Sequence, residues 1–157
     1  MENWNTALQR GLISGTASSL ISTAALAALG KKETGSPYAA TNAVSHYIHG
    51  DKAARHDEPS MRYTVPGYLI HHASATFWSV LFERFLGGVL DRKSPVGTLA
   101  SAAATTAFAA FADYKLTPRR LQPGYEKRLS KQSLAVVYGG FALGLAIGAM
   151  MSRRDQV

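Results

Sequence analysis

The charges of this chain leave five long stretches empty. With His counted as neutral, residues 11–30 (20 residues), 34–50 (17), 63–82 (20), 94–112 (19) and 132–152 (21) contain no Asp, Glu, Lys or Arg. All 27 charged side chains therefore fall in the remaining 60 of the 157 residues. A helix rising 1.5 Å per residue needs about 20 residues to cross the hydrocarbon core of a bilayer. Four of the five runs have that length and end in charge at both sides. A soluble amphipathic helix would carry charge on its wet face every turn or so. The pattern predicts an all-α fold: a four-helix transmembrane bundle with spans at about 11–30, 65–86, 96–114 and 133–152. The alternative is a soluble, alanine-rich helical bundle, which the Ala, Ser and Thr content of 99–112 favours.

The length suits one domain, so 1–157 is read as a single integral membrane domain. The absence of Cys excludes a disulfide framework, a thiolate metal site and a cysteine nucleophile. The first run is read as a retained span and not a cleaved leader, because Lys31-Lys32 stands where a small-residue cleavage site belongs. The second run is too short to span. Ser36 and Pro37 read as a cap and first turn and Gly50 as a stop, giving a short interfacial or re-entrant helix at about 37–49. Residues 51–62 then read as a charged, exposed connection, and a five-residue tail follows the fourth span.

Helices in lipid associate through close backbone approach and interhelical hydrogen bonds. Gly140, Gly144 and Gly148 form a smooth ridge on the fourth span, and Gly11, Gly15 and Ser19 repeat the spacing on the first. The ridges predict packing within the chain, with a homodimer through the fourth span as the alternative. Four spans put both termini and the 2–3 turn on one side with six Lys and Arg, against 11 in the 1–2 and 3–4 loops. The positive-inside rule then places those two loops in the cytoplasm.

Few residues offer chemistry. His46 and His49 share a helix face, and with His72 folded against them they would supply imidazoles for a metal or a haem. His72, Thr76, Ser79 and Glu83 recur at steps of four, three and four, a polar stripe along the second span. Polar residues in a span face the bundle interior or a water path, so this stripe raises a proton or small-solute path as an alternative. Glu83 and Asp113 end consecutive antiparallel spans and so lie on opposite sides. The net-basic loop 113–131 points to anionic lipid headgroups, in preference to nucleic acid. There is no Gly-x-x-x-x-Gly-Lys phosphate loop, no Gly-x-Ser-x-Gly elbow and no His-Glu-x-x-His pair, so the reading leans away from an enzyme and names no catalytic residue.

Two stretches carry a resemblance. Ser36-Pro37-Tyr38-Ala39-Ala40 with Asn42, Ser45 and His46, and Asp113-Tyr114 with Pro118 and Pro123-Gly124-Tyr125-Glu126, resemble small uncharacterised multi-span inner-membrane proteins of bacteria. The resemblance implies a multi-pass protein of the inner (cytoplasmic) membrane and assigns no activity. The expected function is that of a small polytopic membrane protein, a scaffold or partner subunit. The alternatives are a His-based metal- or haem-binding membrane oxidoreductase and a proton or small-solute transporter-like bundle.

Overall fold

The computed structural model describes residues 1–154; of the five-residue tail, 155–157 lie outside the described residues. Among the described residues there are helices and no strand. The long ones are α1 (Trp4–Thr34), α4 (Thr64–Leu90), α5 (Pro95–Phe111) and α6 (Lys131–Met151); α2 (Ala39–Val44) and α3 (His46–His49) are short.

The ends of α1 and α5 are written in local chemistry. Asn3 caps α1 by accepting from Thr6 N–H at 2.9 Å, and Gly35 ends it at φ 83°, donating to the Lys31 carbonyl. Flanking charges do not stop a helix, so α1 runs well past the uncharged stretch at both ends. Ser94 caps α5, with Pro95 in the first turn. The start of α6 has a tertiary cap as well. The Glu33 carboxylate, at the end of α1, accepts from Ser130 N–H at 2.8 Å, Ser130 Oγ at 2.6 Å and Ser133 Oγ. An anion at a helix N-terminus satisfies orphan donors and complements the dipole.

The long helices run up and down in chain order. α1 packs on α4 and α6, α5 bridges α4 and α6, and the ring closes with every neighbour antiparallel. The glycine ridges make these contacts. A Cβ on Gly144 would stand 2.2 Å from Ser18 Cα, one on Gly148 2.4 Å from Ser14 Cα, and one on Gly140 3.5 Å from Ile21. Gly11 and Gly15 likewise meet Val80 and Thr76 of α4 backbone to backbone. The ridge of α6 is therefore covered by α1. Phe82, Leu90, Phe141 and Leu145 fill the core between α4 and α6.

The expected single helix at 37–49 is two. Ser45 turns its hydroxyl onto the Asn42 carbonyl at 2.7 Å, and α2 and α3 meet there. Ser36 does not cap a helix at Pro37; its Oγ accepts from Tyr38 N–H at 3.1 Å and donates to the Asp57 carbonyl. All six residues of α2 are buried within the protein. It is wedged between α4 and the 122–126 turn. A Cβ on Gly67 would lie 2.1 Å from Thr41 O, and one on Gly124 2.6 Å from Ala43 O; Gly124 also has φ +101°.

Residues 35–62 and 112–130 thus form one cap over this end of the bundle. His46 Nε2 bonds Gln122 O at 2.7 Å, Tyr47 donates to Leu121 O, and Arg128 reaches Ala54 O and Asp57 at 2.7 and 2.6 Å. The connection at 51–62 is largely exposed, as expected, and is also tied down. Asn42, fully buried, donates to the carbonyls of His56 and Glu58 at 2.8 and 3.0 Å and accepts from Thr64 Oγ1. We expect Asn42→Ala to cost about 1–3 kcal/mol, the penalty for stranding buried hydrogen-bonding groups. The change is read as faster proteolysis and hydrogen exchange within 56–62, with the long helices still protected.

Among the described residues three helices are long and apolar enough to cross a membrane: α1, α5 with its continuation to Leu116, and α6. The sequence pattern called for four. The remaining one, α4, has 27 residues but carries His71, His72, Glu83 and Arg84.

Candidate functional site

The polar stripe of α4 meets a second stripe on α1 that the sequence reading did not single out. Ser14, Ser18 and Ser22 recur every fourth residue and are fully buried. In register, His71 Nε2 lies 2.8 Å from Ser22 Oγ, His72 Nδ1 3.0 Å from Ser19 Oγ, Ser79 Oγ 3.4 Å from Ser18 Oγ, and Glu83 Oε1 accepts from Ser14 Oγ at 2.9 Å. Thr76 lies over Gly15 in the same row. Three of these serines also bond backbone within α1 or α4, as Ser22 does to Ser18 O at 2.7 Å. Polar groups in a dry interface must find partners there, and α1 supplies them for His71, His72, Ser79 and Glu83, while Thr76 Oγ1 is buried without a partner among the described residues.

At the termini end the seam closes on an ion cluster. Arg153, one turn beyond the Ala149 carbonyl it also reaches, forms a two-point pair with Glu83: Nη2 to Oε2 at 2.8 Å and Nη1 to Oε1 at 3.3 Å. The exposures are 3% for Arg153 and 0% for Glu83. Arg153 Nε and Arg10 Nη1 both donate to Asp91 Oδ1 at 2.9 Å, and Arg10 also pairs with Glu2 at 3.4 Å. α1, α4, the turn after α4 and the end of α6 are joined at one point. A bidentate guanidinium–carboxylate pair is the geometry in which burial of two charges is best compensated. Glu83 accepts from both Arg153 and Ser14, and Asp113 lies apart from it, accepting from Tyr138 at 2.6 Å.

The sequence offered a signal for Arg153. A carboxylate inside an apolar segment needs a cation, and the parity of four spans leaves few on its side. Asp91 lies outside the long helices. Burial pushes its carboxyl up, but the hydrogen bond from Arg153 and the charges of Arg10 and Arg153 outweigh burial and hold it below the usual 3.8. A carboxyl depressed in the folded state contributes stability above its unfolded value and loses it as pH falls through the folded one. We expect thermal stability in detergent to drop on acidification below about pH 4, where unfolded Asp begins to bind protons. Asp91→Asn should flatten that part of the profile; an unchanged acid limb would show that Asp91 does not contribute.

At the other end of the seam lies a cavity of about 30 Å³ lined by Ser22, His71, Trp78, Asp113, Tyr125 and Tyr138. That volume suits about two water molecules. Tyr125 donates to Tyr138 at 3.3 Å, and Tyr138 to Asp113.

The structure does not bring His46, His49 and His72 together. His46 is tied to Gln122, His49 packs edge-on to Tyr63 at 5.0 Å, and His72 is on the α1 seam. Among the described residues no three His, Cys, Asp or Glu gather to hold a metal ion. Loop 113–131 does place basic side chains together at the cap: Arg119, Arg120 and Lys127 line one pocket with Asp51. The hydrogen bond and charge of Lys127, 2.6 Å away, hold the Asp51 carboxyl below its ordinary value.

Comparison with protein-family models, curated proteins and solved structures gives no match. The fold and the seam define the class on their own terms. This is an all-helical bundle with a polar interface inside it and three helices apolar enough to cross a membrane.

Proposed function

We propose that the chain is a four-span protein of a cellular membrane, with α4 as the fourth span, acting as a scaffold or partner subunit. The observation that carries this is the inverted distribution of polarity. Phe77, Phe85 and Phe108 are 56, 56 and 57% exposed, and Leu12, Leu20, Leu99 and Leu143 are also turned outward. Arg10, Ser14, Ser18, Ser22, His71, Glu83 and Arg153 are inside. Water would favour the reverse arrangement. Lipid accepts the apolar surface and penalises the polar residues unless they pair inside. The polar residues of α4 face α1, so α4 presents Leu69, Phe77 and Phe85 outward despite its lower apolarity.

A scaffold or subunit role follows from what the bundle offers. His71, His72, Ser79, Glu83 and Arg153 are bonded to partners inside the bundle, and its cap is held by hydrogen bonds between the two loops. Placement in a bacterial inner membrane, with the cap cytoplasmic, rests on the charge balance of the loops and on the resemblance of the cap stretches. Fractionation tests the reading. The protein is expected in the membrane pellet through high-salt and carbonate washes, with release only by detergent. Recovery in the soluble fraction without detergent would overturn it.

A further inference from the structure

We infer that the cap pocket beside α3 binds the headgroup of an anionic phospholipid. This rests on the membrane reading above and gives it a specific lipid contact. The pocket is about 500 Å³ and lies between the end of α3 and the 119–127 segment, with Arg119, Arg120, Lys127, Asp51, Tyr47 and Ile48 in its wall. Three cations face one carboxylate. Asp51 is paired with Lys127 at 2.6 Å, and among the residues of the wall the one carboxylate leaves an excess of two positive charges. A phosphodiester fits that excess, because guanidinium groups recognise phosphate oxygens in paired hydrogen bonds.

Position separates a lipid from a free phosphate. Arg119 follows Leu116, the last residue of an apolar helix able to cross a membrane, by three positions. The pocket therefore stands at headgroup depth. Its surroundings are apolar and exposed: Ile48 is 64% and Leu116 62% exposed, with Leu121 and Tyr47 beside them. Cations next to outward apolar side chains form the pattern of an interfacial surface, with the apolar groups toward the acyl chains and the guanidinium groups at the phosphates. The fold supports the pocket rigidly. His46 and Tyr47 hold the carbonyls of Gln122 and Leu121, which fixes the segment that carries both arginines.

The test uses the full-length protein in detergent, titrated with short-chain phosphatidylglycerol, with short-chain phosphatidylcholine and with inorganic phosphate. Binding is read by native mass spectrometry and thermal shift. Phosphatidylglycerol is expected to bind at least tenfold more tightly than phosphatidylcholine. Interfacial attraction per basic residue sets the scale for Arg119→Gln/Arg120→Gln, expected to lose about 30-fold in affinity. Asp51→Asn, which releases Lys127, is expected to strengthen binding. A control pair, Arg92→Gln/Arg154→Gln, removes the same charge at the opposite end and should leave binding unchanged. Equal binding of the two lipids, or equal losses in the two double variants, overturns the inference. A phosphate effect as large as that of phosphatidylglycerol overturns the lipid and leaves a free-anion site. A protein that needs detergent yet shows no lipid preference refutes this inference alone; one soluble without detergent refutes the membrane reading beneath it.

Discussion

Arg153→Met in the detergent-solubilised protein is expected to lose about 3–5 kcal/mol of stability, the cost of leaving one member of a buried ion pair without its partner. The residue removed lies two positions past the end of α6, where truncation would ordinarily be harmless. Its guanidinium is the partner of a carboxylate with no exposed surface, and it bonds Asp91 as well. Glu83→Gln should also destabilise, because it leaves Arg153 with a neutral partner. The double variant Glu83→Gln/Arg153→Met separates a coupled pair from two independent losses. It should be more stable than the sum of the single effects predicts, by more than about 1 kcal/mol, since neighbours in one network do not add. Additive losses, read by denaturant or SDS unfolding, would show that the pair is not coupled. The same variants bear on the proton-path alternative: a conducting Glu83 would lose flux without losing stability.

The second large effect is expected at Gly144. Its missing Cβ would lie 2.2 Å from Ser18 Cα and 2.6 Å from Ser18 N, both backbone atoms. No rotamer change relieves such a clash, so α1 and α6 must separate by about 1 Å, and the dense packing of interiors makes that separation costly. Gly144→Ala should therefore cost about 3 kcal/mol, the upper part of the range for overpacking. The damage should spread, because Ser14 and Ser18 of the displaced helix bond Glu83 and Ser79. Gly139 is the control. A Cβ there meets nothing within 4 Å, so Gly139→Ala should be neutral or gain up to about 1 kcal/mol from helix propensity. Equal effects at 139 and 144 would mean that α1 does not lie on this ridge.

The glycine spacing was readable because it is periodic. So was the polar stripe of α4, whose four residues all turn toward α1. The serines of α1 were less readable, because Ser in an apolar run is unremarkable until something polar faces it. His71 shows the limit of a helical-wheel argument. It sits 100° from His72, yet both reach α1, one to Ser22 and the other to Ser19, because the two helices are in contact along a broad face. The two stretches that carry the resemblance are distant in the sequence. In the fold they touch: Gly124 backs onto Ala43, and His46 bonds Gln122.

The sequence by itself determined the long helices and their alternating direction, since exclusion of charge, caps and glycines act within a few residues of where they stand. It did not determine that α2 is buried, that Arg153 answers Glu83, or that two charged loops close over one end as a cap. Those outcomes join residues 70 and more positions apart. They depend on which faces of the helices meet and at what depth. Only the packed bundle fixes that depth, by letting backbones touch where side chains are absent.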